Sequence, residues 1–308
     1  MGKDFVYNKF MSKIKVGVLR GGPSHAYDDS LKTGGYVLSL LRKMPETYEP
    51  VDLFVSRNGD WHSAGLVTEP HDVLSKVDVV WNAVHGPYGE DGQVQKLFDN
   101  LMVPYIGPSS FSSALSYNKD FSKKLYTEHS LLTPRSYVLS EESVSEDELV
   151  KVFHAFVYPV VVKPATGSRA LGVRLAHTFQ ELKDLVKRTF SHAPKVLVEE
   201  YVKGRVSTCT VIEDAKGERL YALLPTGRQP VEVNKKIEEM AKKAHEILGQ
   251  RHFSSSDFII TPRGKVYILE TNSVPVFYEG SHLHQSLEST GWQPQDFVEH
   301  CLKLTLKS

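Results

Sequence analysis
Four short apolar runs near the N-terminus set the tightest bound on the fold. They are IKVGVL (14–19), VDLFVS (51–56), VDVVWNAV (77–84) and VPYIG (103–107), with helical segments between some of them, the first over 30–44. Strands that alternate with helices predict a parallel sheet covered on both faces. We read this block as a first α/β domain, 1–107. A central unit, 108–195, carries expected helices over 113–128, 146–156 and 180–190, the acidic loop SEESVSEDE and the strands PVVVKPA and LGVRLA. A third unit, 196–308, opens on KVLVEEYV and continues through STCTVIE and LYALLP. It holds one well-marked helix, with Asn234 as its N-cap and Gly249 as its stop. Ile237, Met240, Ala241, Ala244, Ile247 and Leu248 form the apolar stripe of that helix.

Composition excludes several function classes. The 308 residues carry 37 basic and 37 acidic side chains, so there is no basic excess of the kind a nucleic-acid binder shows. Cys209 and Cys301 supply neither a disulfide framework nor a zinc spacing. No run approaches a membrane span in length. MGKDFVYNKFMSK lacks a signal-peptide apolar core, so a cytoplasmic location is expected, with Met11 an alternative start.

DFIITPRGKVYILE (257–270) reads as two β-rich runs joined by a turn containing Pro262 and Gly264. A loop over 262–265 would pair Thr261 with Val266, and counting back places Asp257 opposite Glu270. Cross-strand partners share a face at about 5 Å. Glu270 and Asn272, two apart on one strand, also share a face. Two carboxylates and an amide would then converge, and a divalent cation that prefers oxygen ligands would relieve their repulsion.

Three further clusters could carry chemistry. Gly21-Gly22 follows the first strand and reads as a tight turn exposing backbone amides, without the full dinucleotide fingerprint. HGPYGEDG (85–92) follows an apolar strand, where α/β sheets bind ligands; His85 is its candidate, against the alternative of a satisfied core histidine. Glu90 and Asp91 are expected near the start of the next helix, where its dipole favours acids. In VVVKPATGSRALGV (160–173), Lys163 ends a buried strand, which is costly unless an anion pairs with it. Gly167, Ser168 and Gly172 make the segment after it a flexible turn.

Together, GGPS, HGPYGEDG, YIG, NKDFSK, PVVVKP, VLVEEYVKG and YILETNSVP resemble the D-alanine–D-alanine ligases of the ATP-grasp superfamily, in order and spacing, over almost the whole chain. The resemblance implies a three-domain α/β fold, with an N-terminal parallel-sheet domain and two α+β lobes gripping ATP. It implies that ATP phosphorylates one carboxylate and that a second substrate's amine attacks the acyl phosphate, giving a dipeptide, ADP and phosphate. Lys119 and Lys163 match the lysines on the nucleotide phosphates. Glu199, Glu200 and Val202 match the segment that reads adenine. Asp257, Glu270 and Asn272 match the ligands of Mg²⁺ (or Mn²⁺), and His85 matches a histidine near the first substrate's carboxyl. The expected partners are small amino-acid or carboxylate substrates, with neither nucleic acid nor membrane; a homodimer is the candidate assembly.

The chain also departs from that pattern. Ala26 stands where the family has a glutamate for the first substrate's ammonium, and Arg169 where it has the serine supporting that glutamate. Ser255, Val206 and Val276 replace an arginine, a ribose-binding acid and a glycine. The long closing loop is mostly missing, because LPTGRQPVEVNKK runs almost directly into the helix. Three readings stay open: a D-alanine–D-alanine ligase, a ligase of the same mechanism for another carboxylate–amine pair, and a non-catalytic ATP-binding relative. In the second, His25, Asp28, Asp29 and the catalytic candidate Arg169 would contact the new substrate.

Overall fold
A computed structural model describes residues 13–167 and 171–307. Met11, Ser168 and Arg169 lie outside the described residues. The chain divides into two compact units. One takes the chain up to Ser113, then Arg251–Phe253 and everything from Val274; the other holds Ala114–Gln250 and Ser254–Ser273.

The first unit opens with β1 (Ile14–Gly21), α1 (Tyr27–Leu41), β2 (Tyr48–Val55), β3 (Trp61–Ser63), β4 (Leu66–Val67), α2 (Pro70–Leu74), β5 (Val79–Asn82), α3 (Gln93–Asn100) and β6 (Tyr105–Ile106). Six strands make one sheet in the order β4-β3-β2-β1-β5-β6. β1 pairs parallel with β2 and β5, and β5 with β6, as the alternation predicts. β3 and β4 add an antiparallel edge. Ala64 and Gly65 both have positive φ between them, the backbone of a tight hairpin turn. Gly21 and Gly22 leave β1 at φ +92 and +101. A Cβ on Gly21 would come within 2.1 Å of the Val55 carbonyl oxygen, so no other residue fits that turn.

The helix expected over 113–128 is two helices, α4 (Ser110–Tyr117) and α5 (Lys119–Glu128). Asn118 between them has an extended backbone, and its side chain accepts from the amides of Asp120 and Phe121. The break is therefore a fresh N-cap, a role asparagine favours over mid-helix positions. The second unit continues through β7 (Ser136–Ser140), α6 (Glu146–Ala155), β8 (Val160–Pro164), β9 (Arg174–Ala176), α7 (Phe179–Phe190) and β10 (Lys195–Glu200). β7-β10-β8-β9 form an antiparallel sheet. One of its faces packs Leu139, Val160, Val162, Val196 and Val198 into a core with Leu149, Val152, Leu182 and Val186 of α6 and α7.

A second four-stranded sheet, in the order β12-β11-β13-β14, is built from β11 (Arg205–Ala215), β12 (Glu218–Ala222), β13 (Phe253–Ile260) and β14 (Val266–Asn272). α8 (Val231–Ile247) covers its core face with Ile237, Met240, Ala241 and Ala244. This helix starts three residues before Asn234, at Val231, with Pro230 at the N-cap. The fixed φ of proline pre-sets that entry, so no side-chain cap is needed. Gly249, at φ +62, ends it as expected.

The chain returns to the first unit for α9 (His282–Ser289) and α10 (Pro294–Lys307). The segment from Val274, read from sequence as part of the third domain, packs in the first unit. The cause is an aromatic cluster: Trp81, Phe253, Phe277 and Phe297 lie with ring centroids 5.0 to 6.4 Å apart. Gly107 is held in the same unit. Its N–H donates to His252 Nδ1 at 3.0 Å, and its carbonyl accepts from Arg251 Nε and Nη2 at 3.2 and 3.1 Å.

Candidate active site
In the second unit, Asp257 of β13 lies opposite Glu270 of β14, and Ser255 opposite Asn272. The turn is one residue longer than expected: Ile260, not Thr261, pairs with Val266, and Thr261 closes the turn by accepting from Gly264 N. A β-bulge between Asp257 and Phe258, with Leu269 as the extra residue on β14, restores the expected facing. The bulge has a physical reason. Strict alternation would put Glu270 on the same face as Val266 and Ile268, which are fully buried in the core. One extra residue turns Glu270 and Asn272 to the other face.

Asp257 Oδ1 accepts from Thr208 Oγ1 at 2.6 Å, and Oδ2 from Asn272 Nδ2 at 3.3 Å. Burial, and next the neighbouring Glu270, push the Asp257 carboxyl up to about 6. Lys119 Nζ lies 2.9 Å from Glu270 Oε2 and donates to the Gly167 carbonyl. Lys119 is the first residue of α5, and its N–H donates to Ala165 O at 2.8 Å, which fixes that helix start against the turn after β8. The described residues hold no group of three or more His, Cys, Asp or Glu side chains placed to bind a metal. The donor set is two carboxylates and an amide. That set suits Mg²⁺, which keeps waters or phosphates, better than a metal needing a full protein cage.

Lys163 lies on the sheet face opposite the α6–α7 core. It is in register with Leu197, so Glu199, two residues on, is its diagonal neighbour on that face. Lys163 Nζ is 2.6 Å from Glu199 Oε2, and Lys123 Nζ of α5 is 2.7 Å from Oε1. All three are buried. Burial pushes the Glu199 carboxyl up, but Lys163 and Lys123 outweigh it and hold the group below its ordinary value. Burial lowers the Lys123 ammonium, and Glu199 opposes the shift in part. Sequence reading passed over Lys123, because a helical lysine is ordinarily solvated. Its signal was the four-residue spacing from Lys119, which places both on one helix face. Glu200 accepts from Arg135 N and Nε at 2.9 and 3.3 Å. Val202 is half-buried in the stretch joining β10 to β11.

Residues 223–230 follow β11 closely. Leu223 N donates to Thr210 O, Thr226 N to Thr208 O, and Thr208 N to Thr226 Oγ1. Thr208 is thus tied by its backbone to this segment and by its hydroxyl to Asp257. Ser255, in place of the family arginine, is buried and bonded to Thr210 Oγ1 at 2.6 Å.

In the first unit, His85 has no exposed surface. Its Nδ1 lies 3.0 Å from the Val274 carbonyl oxygen and 3.5 Å from Glu90 Oε1. Both are acceptors, so Nδ1 carries the proton. Nε2 lies 2.9 Å from Thr33 Oγ1, which also accepts from Phe277 N. Both ring nitrogens of His85 are thus bound to protein groups. Glu90 is buried beside it rather than at the start of α3, a correction to the dipole reading; a loop glutamate next to three glycines gave no hint of that inward turn. Asp91 stays near that helix start, accepting from Tyr88 N and from the N–H of Gln93, the first residue of α3. Ala26 is buried at the N-terminus of α1. Asp28 is exposed and paired with Arg57, and Asp29 accepts from the Tyr278 hydroxyl at 3.4 Å.

Comparison with known proteins adds an independent line. Family models described as D-ala D-ala ligase C-terminus and N-terminus match residues 130–226 with 222–303, and 62–108. The D-alanine–D-alanine ligase of Geobacter sulfurreducens is 31% identical over 95% of this chain and 94% of its own length. The D-alanine–D-alanine ligase structure from Coxiella burnetii superposes with a TM-score of 0.86 at 23% identity, covering 96% of each chain. The Bacillus anthracis enzyme complexed with ATP gives 0.79 at 25% identity, covering 96% of this chain and 97% of that one.

Proposed function
The chain belongs to the D-alanine–D-alanine ligase family of ATP-dependent carbon–nitrogen ligases, and from that premise we propose that it joins two D-alanine molecules. One carboxylate takes the γ-phosphoryl group of ATP, and the amine of the second molecule displaces phosphate to form the amide. The observation that carries this reading is the meeting, within one unit, of Lys119 with Glu270 and of Lys163 with Glu199. Both lysines are buried cations whose ammonium groups suit phosphates.

Asp257, Glu270 and Asn272 would hold Mg²⁺, which when bound draws charge from the phosphates. Thr208 orients Asp257, and Lys119 balances Glu270. We read the two four-stranded sheets of the second unit as the lobes that hold ATP, and His85 as the residue that fixes the HGPYGEDG turn near the first substrate.

One observation favours a second reading. Ala26 places no carboxylate where the family has its ammonium-binding glutamate, and the acids that follow in the first turn of α1 make other contacts, Asp28 with Arg57 and Asp29 with the Tyr278 hydroxyl. Phosphate release from ATP across D- and L-amino acids and small carboxylic acids tests both readings. D-alanine-dependent release with matching dipeptide supports the first. Release that ignores D-alanine and follows another acid overturns it in favour of the second.

A further inference from the structure
The buried charge around Glu199 does not balance. Lys123 and Lys163, 4% and 6% exposed, share this one carboxylate. Alternation turns Glu200, the next acid on the strand, to the other face, where Arg135 holds it. Two ammonium groups therefore exceed their common partner by one charge, in a place where an unpaired charge is costly. A cluster of this kind is set to receive an anion.

The two lysines are not equivalent. Lys123 is anchored twice, by Glu199 and by Thr133 Oγ1 at 2.8 Å. Lys163 sits one residue from the end of β8, beside the turn at Thr166 and Gly167, and Glu199 is its ion-pair partner among the described residues. We propose that Lys123 is the permanent counter-ion of Glu199 and Lys163 the exchangeable one. Lys163 leaves Glu199 for a nucleotide phosphate, and Lys123 keeps the carboxylate ionised when it goes. Lys123 is then a positioning residue, acting on the nucleotide through the freedom it gives Lys163. This rests on the phosphate role of Lys163 given above.

Lys123→Met leaves a neutral Glu199–Lys163 pair, so the fold is kept. Moving Lys163 to a phosphate then strands a buried carboxylate, which must take a proton. Mg-ADP binding to Lys123→Met is expected to take up about one more proton than wild type. Its affinity should be down more than about tenfold near pH 8 and recover toward wild type near pH 6. Titration calorimetry in buffers of different ionisation enthalpy counts the protons. Lys123→Met/Glu199→Gln removes the acid as well, and Lys123→Arg keeps the charge; both should lose the extra uptake and the pH dependence. A pH-independent affinity in Lys123→Met, or proton uptake that persists in the double variant, overturns the proposal. Lys163→Met separates the two levels: wild-type ADP affinity there rejects the phosphate role and the exchange together. Weakened binding there, with a pH-independent Lys123→Met, rejects the counter-ion role alone.

Discussion

Asp257 faces Glu270 across the β13–β14 hairpin although the strands beyond them are paired one residue out of step. The bulge that reconciles the two registers also separates two demands on β14. Val266 and Ile268 must enter the core, and Glu270 must leave it. The carboxylate pair is a consequence of that separation.

Glu270→Gln keeps the shape of β14 and removes one of the two facing charges. We expect a folded protein whose Mg²⁺-dependent ATP turnover falls by at least about a hundredfold, since metal stabilisation of the moving phosphoryl group is worth several kcal/mol. Steady-state phosphate release against Mg²⁺ concentration measures it. A wild-type rate would place the metal elsewhere.

The raised Asp257 carboxyl sets a pH window. Its folded pKa, about 6, lies above the ordinary aspartate value, so its contribution to stability is present at low pH and is lost as pH rises through about 6. A cation needs the ionised form and reverses that loss. Thermal stabilisation by Mg²⁺ should therefore be small near pH 5 and full above about pH 7. An equal shift at both pH values would contradict the burial and repulsion inferred for Asp257.

His85→Ala should act first on the fold. It leaves the Val274 carbonyl and the Thr33 hydroxyl without their partner, at about 1–3 kcal/mol for each buried group, beside an empty space. Denaturant unfolding should show a loss of at least about 2 kcal/mol. Unchanged stability with a raised KM for the first substrate would instead make His85 a direct contact.

Asn118→Ala removes the cap that starts α5 one residue before Lys119. A cost of about 1 kcal/mol is expected, together with weaker ATP binding as the helix start and Lys119 lose their placement. Denaturant unfolding and nucleotide titration read the two effects. Lost stability with unchanged ATP affinity would show that the Ala165 contact alone places Lys119.

The parallel sheet, the hairpin and the facing of Asp257 and Glu270 were legible because alternation and strand pairing are local rules. The turn register was not. Its extra residue is compensated at Leu269, and the need for that appears once α8 declares which face is the core. Lys163 stood out as a charge ending an apolar strand, whereas Lys123 looked like any helical lysine until β10 brought Glu199 to it. The Asn118 break and the capping of α8 by Pro230 were missed for a common reason. Periodicity continues smoothly across a cap, and capping is decided by one side chain or one ring.

The grip of Arg251 and His252 on Gly107, with Phe253, Phe277 and Phe297 around Trp81, has a bearing on how the chain is made. The six-stranded sheet is encoded in the first third of the chain, yet the residues that close it arrive about 145 to 190 positions later. A ribosome releases β1 to β6 long before α10 exists. During synthesis the earliest sheet must wait, open on its Trp81 side, while the second unit has every residue it needs once Ser273 has emerged. The part of the protein written in the middle can thus be finished first, and the N-terminal part last.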